Sequence, residues 1–292
     1  MNLWTNPLVA RQLRLNRETL DNWRLYRSHR EAVADLICQP PQPASDRLCI
    51  LGAGNCNDLD LARFTGRFAQ VDLVDLDREA MAKGVQRQSP LAPGRISLHG
   101  GIDLTGILKT LATWERYRPG RESIAHCIRE AHAFAGLPFP GRFEVAASMC
   151  LLSQIIDSIV SVTGSQAVPE ELVETLRQRH LQLLAELLVP GGVGFLFTDF
   201  ALERGSSRPA RGTSPEPESA EGTSSNAFLG VSPQELCALA SNSAVLRTQV
   251  GKAQVTPSWL WRQNPRRTLR VCAIQFQRID PLTTKNRFPR SS

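Results

Sequence analysis

The sequence predicts an α/β protein with a doubly wound, mostly parallel sheet of seven strands, the last of them antiparallel, preceded by an N-terminal helical extension. Three observations carry this prediction. An apolar strand at 48–51 leads into a glycine turn, a second strand at 68–75 ends in an acid, and Val-Pro-Gly-Gly at 189–192 precedes another apolar run at 193–200. Apolar strands that alternate with amphipathic helices are typical of parallel sheets covered on both faces.

Length and composition favour one large globular domain with additions. The chain has 292 residues, of which 42% are hydrophobic, enough for a sizeable core. No apolar run approaches the roughly 18 residues of a membrane span, and the N-terminus lacks the apolar region of a signal peptide. The seven cysteines include no C-x-x-C pair. We therefore expect a reduced, cytoplasmic protein without membrane attachment.

The net charge of +6 is concentrated near the C-terminus. Eight Arg or Lys and one Asp lie between Arg262 and Ser292, which leaves the rest of the chain near neutral. A nucleic-acid-binding protein usually combines such charge with a recognisable reading module, and the sequence contains none. We expect a solvated basic tail at 281–292 and no nucleic-acid partner.

The first strand and the glycine turn after it predict a nucleoside site. Gly52-Ala53-Gly54 permits a tight turn and lets backbone N–H groups approach a ligand. Asp75 ends the second strand 21 residues after Gly54, about the spacing of roughly 20 residues at which a carboxylate meets two ribose hydroxyls. A helix over 58–64 and a cap by Asp77 complete the unit. The alternative is an ordinary βαβ unit whose glycines serve only the turn.

This region resembles the class I S-adenosylmethionine-dependent methyltransferases, which have a Rossmann-like fold. ILGAGN is similar to their first motif and LVDLD to the acidic strand end that follows. The resemblance implies S-adenosyl-L-methionine as cofactor, and it assigns the methionine end to the glycine turn, the ribose to Asp75 and adenine to Asp103. The implied cofactor-binding residues are Gly52, Ala53, Gly54, Asn55, Asp58, Asp75, Leu76, Asp103, Ser148 and Met149, and the substrate-facing residues are Cys150, Ser153 and Gln154.

The first motif departs from the family pattern at two positions. Ile50 stands where the family usually has an acid that recognises the methionine amino group, and Cys56 replaces the third glycine. Asn55, Asn57 and Asp58 are the candidates for the missing role. Asn57 also stands where the dinucleotide motif G-x-G-x-x-G needs a glycine, which disfavours an NAD(P)-dependent oxidoreductase.

The N-terminal part of the chain predicts a cover for the site. Residues 7–37 read as helical, and helical extensions in the family often cover cofactor and substrate. Trp4, Trp23, Tyr26 and His29 are therefore lid candidates, with packing onto the sheet favoured for Trp23.

Asp103 follows a short third strand at 95–98 and either contacts adenine or caps a helix over 104–117. A helix over 121–135 carries His126 and His132, whose spacing of six does not suit a metal pair, and we expect no metal site.

The second half of the chain predicts the rest of the sheet. A fourth strand at 143–149 leads into the segment 148–154. This segment lacks the Asn-Pro-Pro-Tyr motif of relatives that methylate planar nitrogens, which favours a small-molecule acceptor.

Helices over 151–162 and 169–188 precede the fifth strand. Residues 203–226 have the composition of a disordered insertion. Ser232 begins a capped helix, a sixth strand is expected within 247–254, and segments 258–262 and 268–277 form the closing antiparallel pair that the family places beside its last parallel strand.

The sequence thus predicts a methyltransferase whose catalytic residues it does not identify. We expect residues 1–42 to form the N-terminal extension or lid, 43–202 with 227–280 the methyltransferase-like Rossmann domain, 203–226 the disordered insertion and 281–292 the basic tail. Methyl transfer from a sulfonium needs mainly alignment and exclusion of water. The alternatives are a non-catalytic relative that binds a partner or senses the cofactor, an aminopropyltransferase and an oxidoreductase.

Overall fold

The computed structural model describes residues 5–39, 46–115, 118–134, 136–139, 141–165, 167–203 and 231–279. These residues form one eight-stranded sheet with helices on both faces. The strands are β1 (Arg47–Leu51), β2 (Gln70–Asp75), β3 (Ile96–Gly100), β4 (Phe143–Met149), β5 (Leu188–Glu203), β6 (Val250–Val255), β7 (Trp259–Asn264) and β8 (Arg267–Arg278).

The strand order is that of the predicted fold. It runs β3-β2-β1-β4-β5-β8-β6, with β8 antiparallel to both β5 and β6 and the first five strands parallel. The antiparallel strand inserted beside β5 confirms the predicted closing hairpin of β7 and β8. The expected seven strands become eight because β7 pairs with β8 beyond the point where β6 ends.

The helices surround this sheet. They are α1 (Pro7–Glu18), α2 (Arg27–Cys38), α3 (Leu61–Arg67), α4 (Arg78–Arg87), α5 (Leu108–Leu111), α6 (Arg121–Ala133), α7 (Leu151–Thr163), α8 (Glu170–Glu186) and α9 (Pro233–Asn242), with 3₁₀ turns at Ala112–Glu115 and Leu246–Thr248. Asp77 caps α4, and Ser232 with Glu235 forms the predicted capping box of α9. No helix in the described part of the chain is long and apolar enough to span a bilayer.

Two hydrophobic cores lie on opposite faces of the sheet. Side chains of β1 alternate between them, since Cys49 and Leu51 join one core while Leu48 and Ile50 join the other. Helices α6 to α9 cover the first face, and α2, α3 and α4 cover the second. Burial on both faces explains why β1 reads as an unbroken apolar run.

The N-terminal extension crosses from one face of the sheet to the other. Leu8 and Val9 of α1 join the first core, whereas Val33 and Ile37 of α2 join the second. Within the span 7–37 that the sequence predicts to be helical, residues 7–18 and 27–37 are helical, whereas residues 19–26 form turns between α1 and α2. Those residues have no strong helix breaker, so tertiary contacts override local propensity here.

Other boundaries differ from the predicted ones. Helix α3 begins only at Leu61, with Asp60 as its cap, because residues 52–60 form a long loop. The helix expected over 104–117 is reduced to α5 and a 3₁₀ turn. Strand β5 starts at Leu188, before the Pro-Gly-Gly stop, and Gly191 adopts a φ of 83° within it. Trp4, residues 204–226 of the predicted insertion and the tail at 281–292 lie outside the described residues.

Candidate functional site

The glycine turn after β1 is tied to the end of β2. Gly52 and Gly54 have φ values of 74° and 47°, a region that residues with a side chain rarely adopt. The N–H groups of Gly52 and Ala53 donate to the Val74 carbonyl at 2.9 and 3.2 Å. The Gly54 N–H donates to Asp75 Oδ2 at 2.8 Å. The turn is thereby fixed at the carboxyl edge of the sheet, where open α/β sheets bind ligands.

Asp75 is the half-buried acid at the centre of this edge. Its Oδ1 accepts a second backbone hydrogen bond, from Asp77 N–H at 2.9 Å. Burial raises the pKa of Asp75 to about 6, although both backbone hydrogen bonds oppose that shift. Each carboxylate oxygen can accept more than one hydrogen bond, so both remain available to vicinal hydroxyls.

Cys56 occupies the position of the missing third glycine. It is fully buried and has a φ of 55°, the conformation that a glycine would adopt more easily. Its Cβ packs against Gly84 of α4, where an added Cβ would lie 2.8 Å away. The loop therefore keeps a glycine-like conformation without the glycine.

Helix α1 is fixed across the carboxyl edge at three places. Asn6 caps the helix and donates from Nδ2 to the Leu108 carbonyl at 2.8 Å. Arg11 forms an ion pair of 2.7 Å with Asp157 of α7. At the other end, Asn55 Nδ2 donates to the Asn16 carbonyl at 3.0 Å, and Asn57 Nδ2 donates to the Thr19 carbonyl at 2.6 Å. The two asparagines of the glycine loop thus hold the N-terminal extension.

A cleft of about 690 Å³, measured to its open mouth, lies beneath α1. The enclosed part of that space has a volume of about 70 Å³. The structure brings six of the predicted residues to this cleft, namely Gly52, Gly54, Asp75, Leu76, Asp103 and Gln154. The remaining polar lining comes from Gln12, Asn16, Thr105 and Ser158, and the apolar lining from Ile102, Leu104, Ile107, Leu108, Leu111, Leu151 and Ile155.

Asp103 orders the loop before α5 and also borders the cleft. Its Oδ1 accepts from Thr105 N–H at 2.9 Å, and its Oδ2 accepts from Leu108 N–H at 3.0 Å, so it orders the loop before α5. The same side chain borders the cleft.

The other predicted residues do not line the cleft. Ala53 and Met149 are each 1% exposed and pack in the second core. Asn55 holds the extension as described. Burial and the nearby Asp75 raise the pKa of Asp58 to about 7, with Arg30 opposing that shift.

Predicted residues at the end of β4 and just after it are buried inside the protein. Ser148 is fully buried, and its Oγ lies 2.7 Å from His180 Nε2. Ser153 Oγ donates to Asp199 Oδ1 at 2.5 Å. Burial raises the pKa of the Cys150 thiol well above its ordinary value, which disfavours a reactive thiolate. Ser148, Cys150 and Ser153 thus lie behind the wall of the cleft.

The sequence analysis expects the N-terminal extension to cover the site, but it does not identify Gln12 and Asn16 as lining residues. Gln12 and Asn16 stand four residues apart on one helix, so they share a face. That spacing is visible in the sequence, but nothing local shows that this face turns toward the glycine loop.

The charges of the cleft restrict its ligand. Asp75 and Asp103 are the charged residues among the described lining, which includes no Lys, Arg or His. The N–H groups of Gly52, Ala53 and Gly54 are already hydrogen-bonded within the protein, and α3 begins only at Leu61. A pyrophosphate is usually held by free backbone N–H groups at a helix N-terminus. The described part of this cleft offers no such cradle.

The described residues do not include a ligand set for a metal ion. Among the described residues, no three His, Cys, Asp or Glu side chains come together in a way that would hold a metal ion.

Comparisons with known proteins place this chain among distant structural neighbours. No protein-family model and no curated protein matches the sequence. Among solved structures, the N-methyltransferase NodS from Bradyrhizobium japonicum WM9, in complex with S-adenosyl-L-homocysteine, is similar at 10% identity over 92% of this chain and 99% of that one, with a TM-score of 0.48. The YcgJ protein from Bacillus subtilis is similar at 11% identity over 87% and 99%, with a TM-score of 0.45. An rRNA methylase from Streptococcus thermophilus is similar at 11% identity over 86% and 94%, with a TM-score of 0.38.

Proposed function

We propose that this chain is an S-adenosyl-L-methionine-dependent methyltransferase that acts on a small-molecule acceptor. One observation carries the proposal: the cleft at the carboxyl edge combines a strand-end carboxylate, Asp75, with a lining that has no basic residue among the described positions. S-adenosylmethionine bears a sulfonium and an ammonium against one carboxylate. Its net positive charge suits a cleft with two carboxylates, since opposite charges attract most strongly where water is partly excluded.

The residues present fit this cofactor along the sheet edge. Asp75 is placed to accept hydrogen bonds from the ribose hydroxyls, and the glycine turn allows close approach of the chain joined to the ribose. Leu104, Ile107 and Leu111 supply an apolar wall of the kind that accommodates a purine ring.

The chemistry asks little more of the protein. When bound, the cofactor supplies a methyl group on a positively charged leaving group. The chain's own residues bind and orient the ligand, and α1 limits the access of water. Alignment of this kind accounts for a large share of the rate in two-reactant steps.

A small acceptor is favoured by the covering of the edge. Helix α1 is fixed at both ends and at its side, and the segment after it crosses the sheet edge over the glycine loop. The approach to the cleft is therefore bounded by protein on several sides, a geometry that suits a small molecule better than a broad macromolecular surface.

The competing functions differ in the ligand they require. An NAD(P)-dependent oxidoreductase needs a pyrophosphate site, which the charges of the cleft oppose. An aminopropyltransferase would bind the decarboxylated cofactor. A non-catalytic relative would keep the fold with weak cofactor binding or none, and no turnover.

Calorimetric titration with S-adenosylmethionine, S-adenosylhomocysteine and NAD tests the proposal. We expect micromolar binding of the first two and none of NAD. Replacing Asp75 with Ala removes hydrogen bonds to a charged group, worth about 1.5–3 kcal/mol, so affinity should fall roughly 10- to 150-fold. Asp35→Ala is the matched control, because Asp35 pairs with Arg63 and does not line the cleft.

Two results would overturn the proposal. Binding of neither adenosyl ligand by a folded sample would exclude the cofactor site, and an Asp75→Ala variant with unchanged affinity would exclude the assignment to ribose. Cofactor binding without turnover in a screen of amine, hydroxyl and thiol acceptors would favour the non-catalytic alternative.

A further inference from the structure

The residue that usually recognises the amino-acid end of the cofactor has no counterpart in the first motif here. Ile50 is fully buried in the second core and does not reach the cleft. The sequence leaves Asn55, Asn57 and Asp58 as replacements. The Asn55 and Asn57 amides are bonded to the N-terminal extension, and none of the three lines the cleft.

Two helices instead face each other across the cleft with paired polar side chains. Gln12 and Asn16 of α1 are four residues apart, as are Gln154 and Ser158 of α7, so each pair shares one face of its helix. All four side chains line the cleft. Gln12 Nε2 approaches Ser158 Oγ at 3.5 Å, which places the two faces directly opposite each other.

The carboxamides on these faces keep unused hydrogen-bonding capacity. Asn16 donates from Nδ2 to Asp77 at 3.2 Å, while its Oδ1 lies beside Gly54, 3.2 Å from where a Cβ on that glycine would be. Within the described residues, Gln12 Oε1 and the whole Gln154 carboxamide have no hydrogen-bond partner. A carboxamide offers both an acceptor for an ammonium and two donors for a carboxylate.

The order of the strands gives these groups a position relative to Asp75. Along the carboxyl edge, β3 leads to Asp103, β2 to Asp75, β1 to the glycines, and β4 to α7 with Gln154. Gln154 thus lies on the side of Asp75 opposite to Asp103, Gln12 lies across from the same helix at Ser158, and Asn16 lies beside Gly54 and Asp77. A nucleoside bound between Asp75 and Asp103 would point its 5′ substituent toward these carboxamides.

We propose that Gln12, Asn16 and Gln154 form a subsite for a zwitterionic α-amino-acid group, built from neutral carboxamides in place of a motif acid. The proposal rests on the proposed function, because the nucleoside half of the same ligand occupies the Asp75 side. Helix α1 is then part of the binding site, and the Asn55 and Asn57 contacts position it.

Two ligands that share a nucleoside test the subsite. S-adenosylhomocysteine carries the amino-acid group, whereas 5′-methylthioadenosine has the same adenosine and thioether sulfur with a methyl group instead. In calorimetry, Gln12→Ala/Asn16→Ala should weaken S-adenosylhomocysteine about 10- to 100-fold, the loss expected for hydrogen bonds to charged groups. Affinity for 5′-methylthioadenosine should stay within about threefold, an energy below 1 kcal/mol.

Further variants separate the two halves of the ligand. Gln154→Ala should reproduce the selective loss from the other helix, and because Gln154 is exposed, this change leaves the core intact. Asp75→Ala should weaken both ligands alike. Gln254→Ala, a carboxamide on β6, should change neither, and thermal melting of each variant checks that it is folded.

The outcomes are distinct. Equal loss of both ligands in the α1 and Gln154 variants, or no loss of S-adenosylhomocysteine, would overturn the subsite while leaving the proposed function in place. Failure of the unaltered protein to bind either ligand would overturn the proposed function, and the subsite with it.

Discussion

Gly84 of α4 lies against the glycine loop, where no side chain fits. A Cβ at this position would lie 2.5 Å from the Asn55 carbonyl oxygen and 2.8 Å from both the Asn55 carbonyl carbon and Cys56 Cβ. Two of these neighbours are backbone atoms, and Asn55 and Asn57 anchor that backbone to the N-terminal extension. The loop therefore cannot withdraw without breaking those contacts. Gly84→Ala should separate α4 from the loop.

The expected effect is a balance of two terms. Alanine in place of glycine within a helix contributes about 1 kcal/mol of stability through propensity, whereas overpacking a close contact costs about 1–3 kcal/mol. Because the clash involves backbone, we take the upper part of that range and expect a net loss of about 1–2 kcal/mol. For a chain of this size the melting temperature should fall by roughly 2–3 °C.

Gly66 of α3 provides the matched control. An added Cβ there has no neighbour within 4 Å, so Gly66→Ala should stabilise the protein by up to about 1 kcal/mol. Chemical denaturation and thermal melting of both variants measure the difference. If Gly84→Ala stabilises the protein as Gly66→Ala does, the packing of α4 against the glycine loop is wrong.

Two further predictions concern pH. Burial raises the pKa of Asp75 to about 6, and the ribose hydroxyls require an acceptor. Affinity for S-adenosylhomocysteine, measured by calorimetry between pH 4.5 and 8, should therefore fall about tenfold per pH unit below 6. The Asp75→Asn variant should lose this pH dependence. Burial lowers the pKa of His180 to about 4 from about 6.5 in the unfolded chain. The unfolded chain therefore takes up a proton at a higher pH than the folded protein does. The free energy of unfolding should be highest above pH 6.5 and should fall by about 3 kcal/mol as the pH drops toward 4. In denaturant titrations, the free energy of unfolding of His180→Gln should fall less between pH 6.5 and 4, whereas His132→Gln, a change at an exposed histidine, should behave as the unaltered protein does. An equal dependence of this free energy on pH in all three proteins would refute the burial of a neutral His180.

The sequence predicts those parts of the fold whose signals are local. Leu48 to Asp75 contains strand, turn and strand-end acid in order, and the structure assembles them as expected. The closing hairpin and the caps at Asp77 and Ser232 follow from neighbouring residues as well. Each of these features depends on contacts between residues close in sequence or on a strong periodic pattern.

The features that the sequence does not predict depend on distant contacts. Helix α1 ends at Glu18 and the chain crosses the sheet edge, because Asn55 and Asn57 bind it from 36 to 39 residues away. Polar residues in a glycine loop suggest ligand binding, yet these two bind the protein itself. For the same reason, Gln12 and Asn16 look like surface residues of an amphipathic helix until its docking is known.

The two departures from the family motif have related structural consequences. Ile50 adds a fully buried side chain to the core beneath α2, and Cys56 accepts a left-handed conformation that costs a non-glycine residue about 1–2 kcal/mol. A chain that had lost its ligand would be expected to fill the vacated space. Here the loop keeps its glycine-like path, Asp75 keeps both backbone donors, and the cleft is lined by carboxamides with free acceptors. The loop path, the contacts of Asp75 and the open cleft therefore agree with the proposed cofactor site, and turnover assays distinguish a catalytic protein from a non-catalytic one.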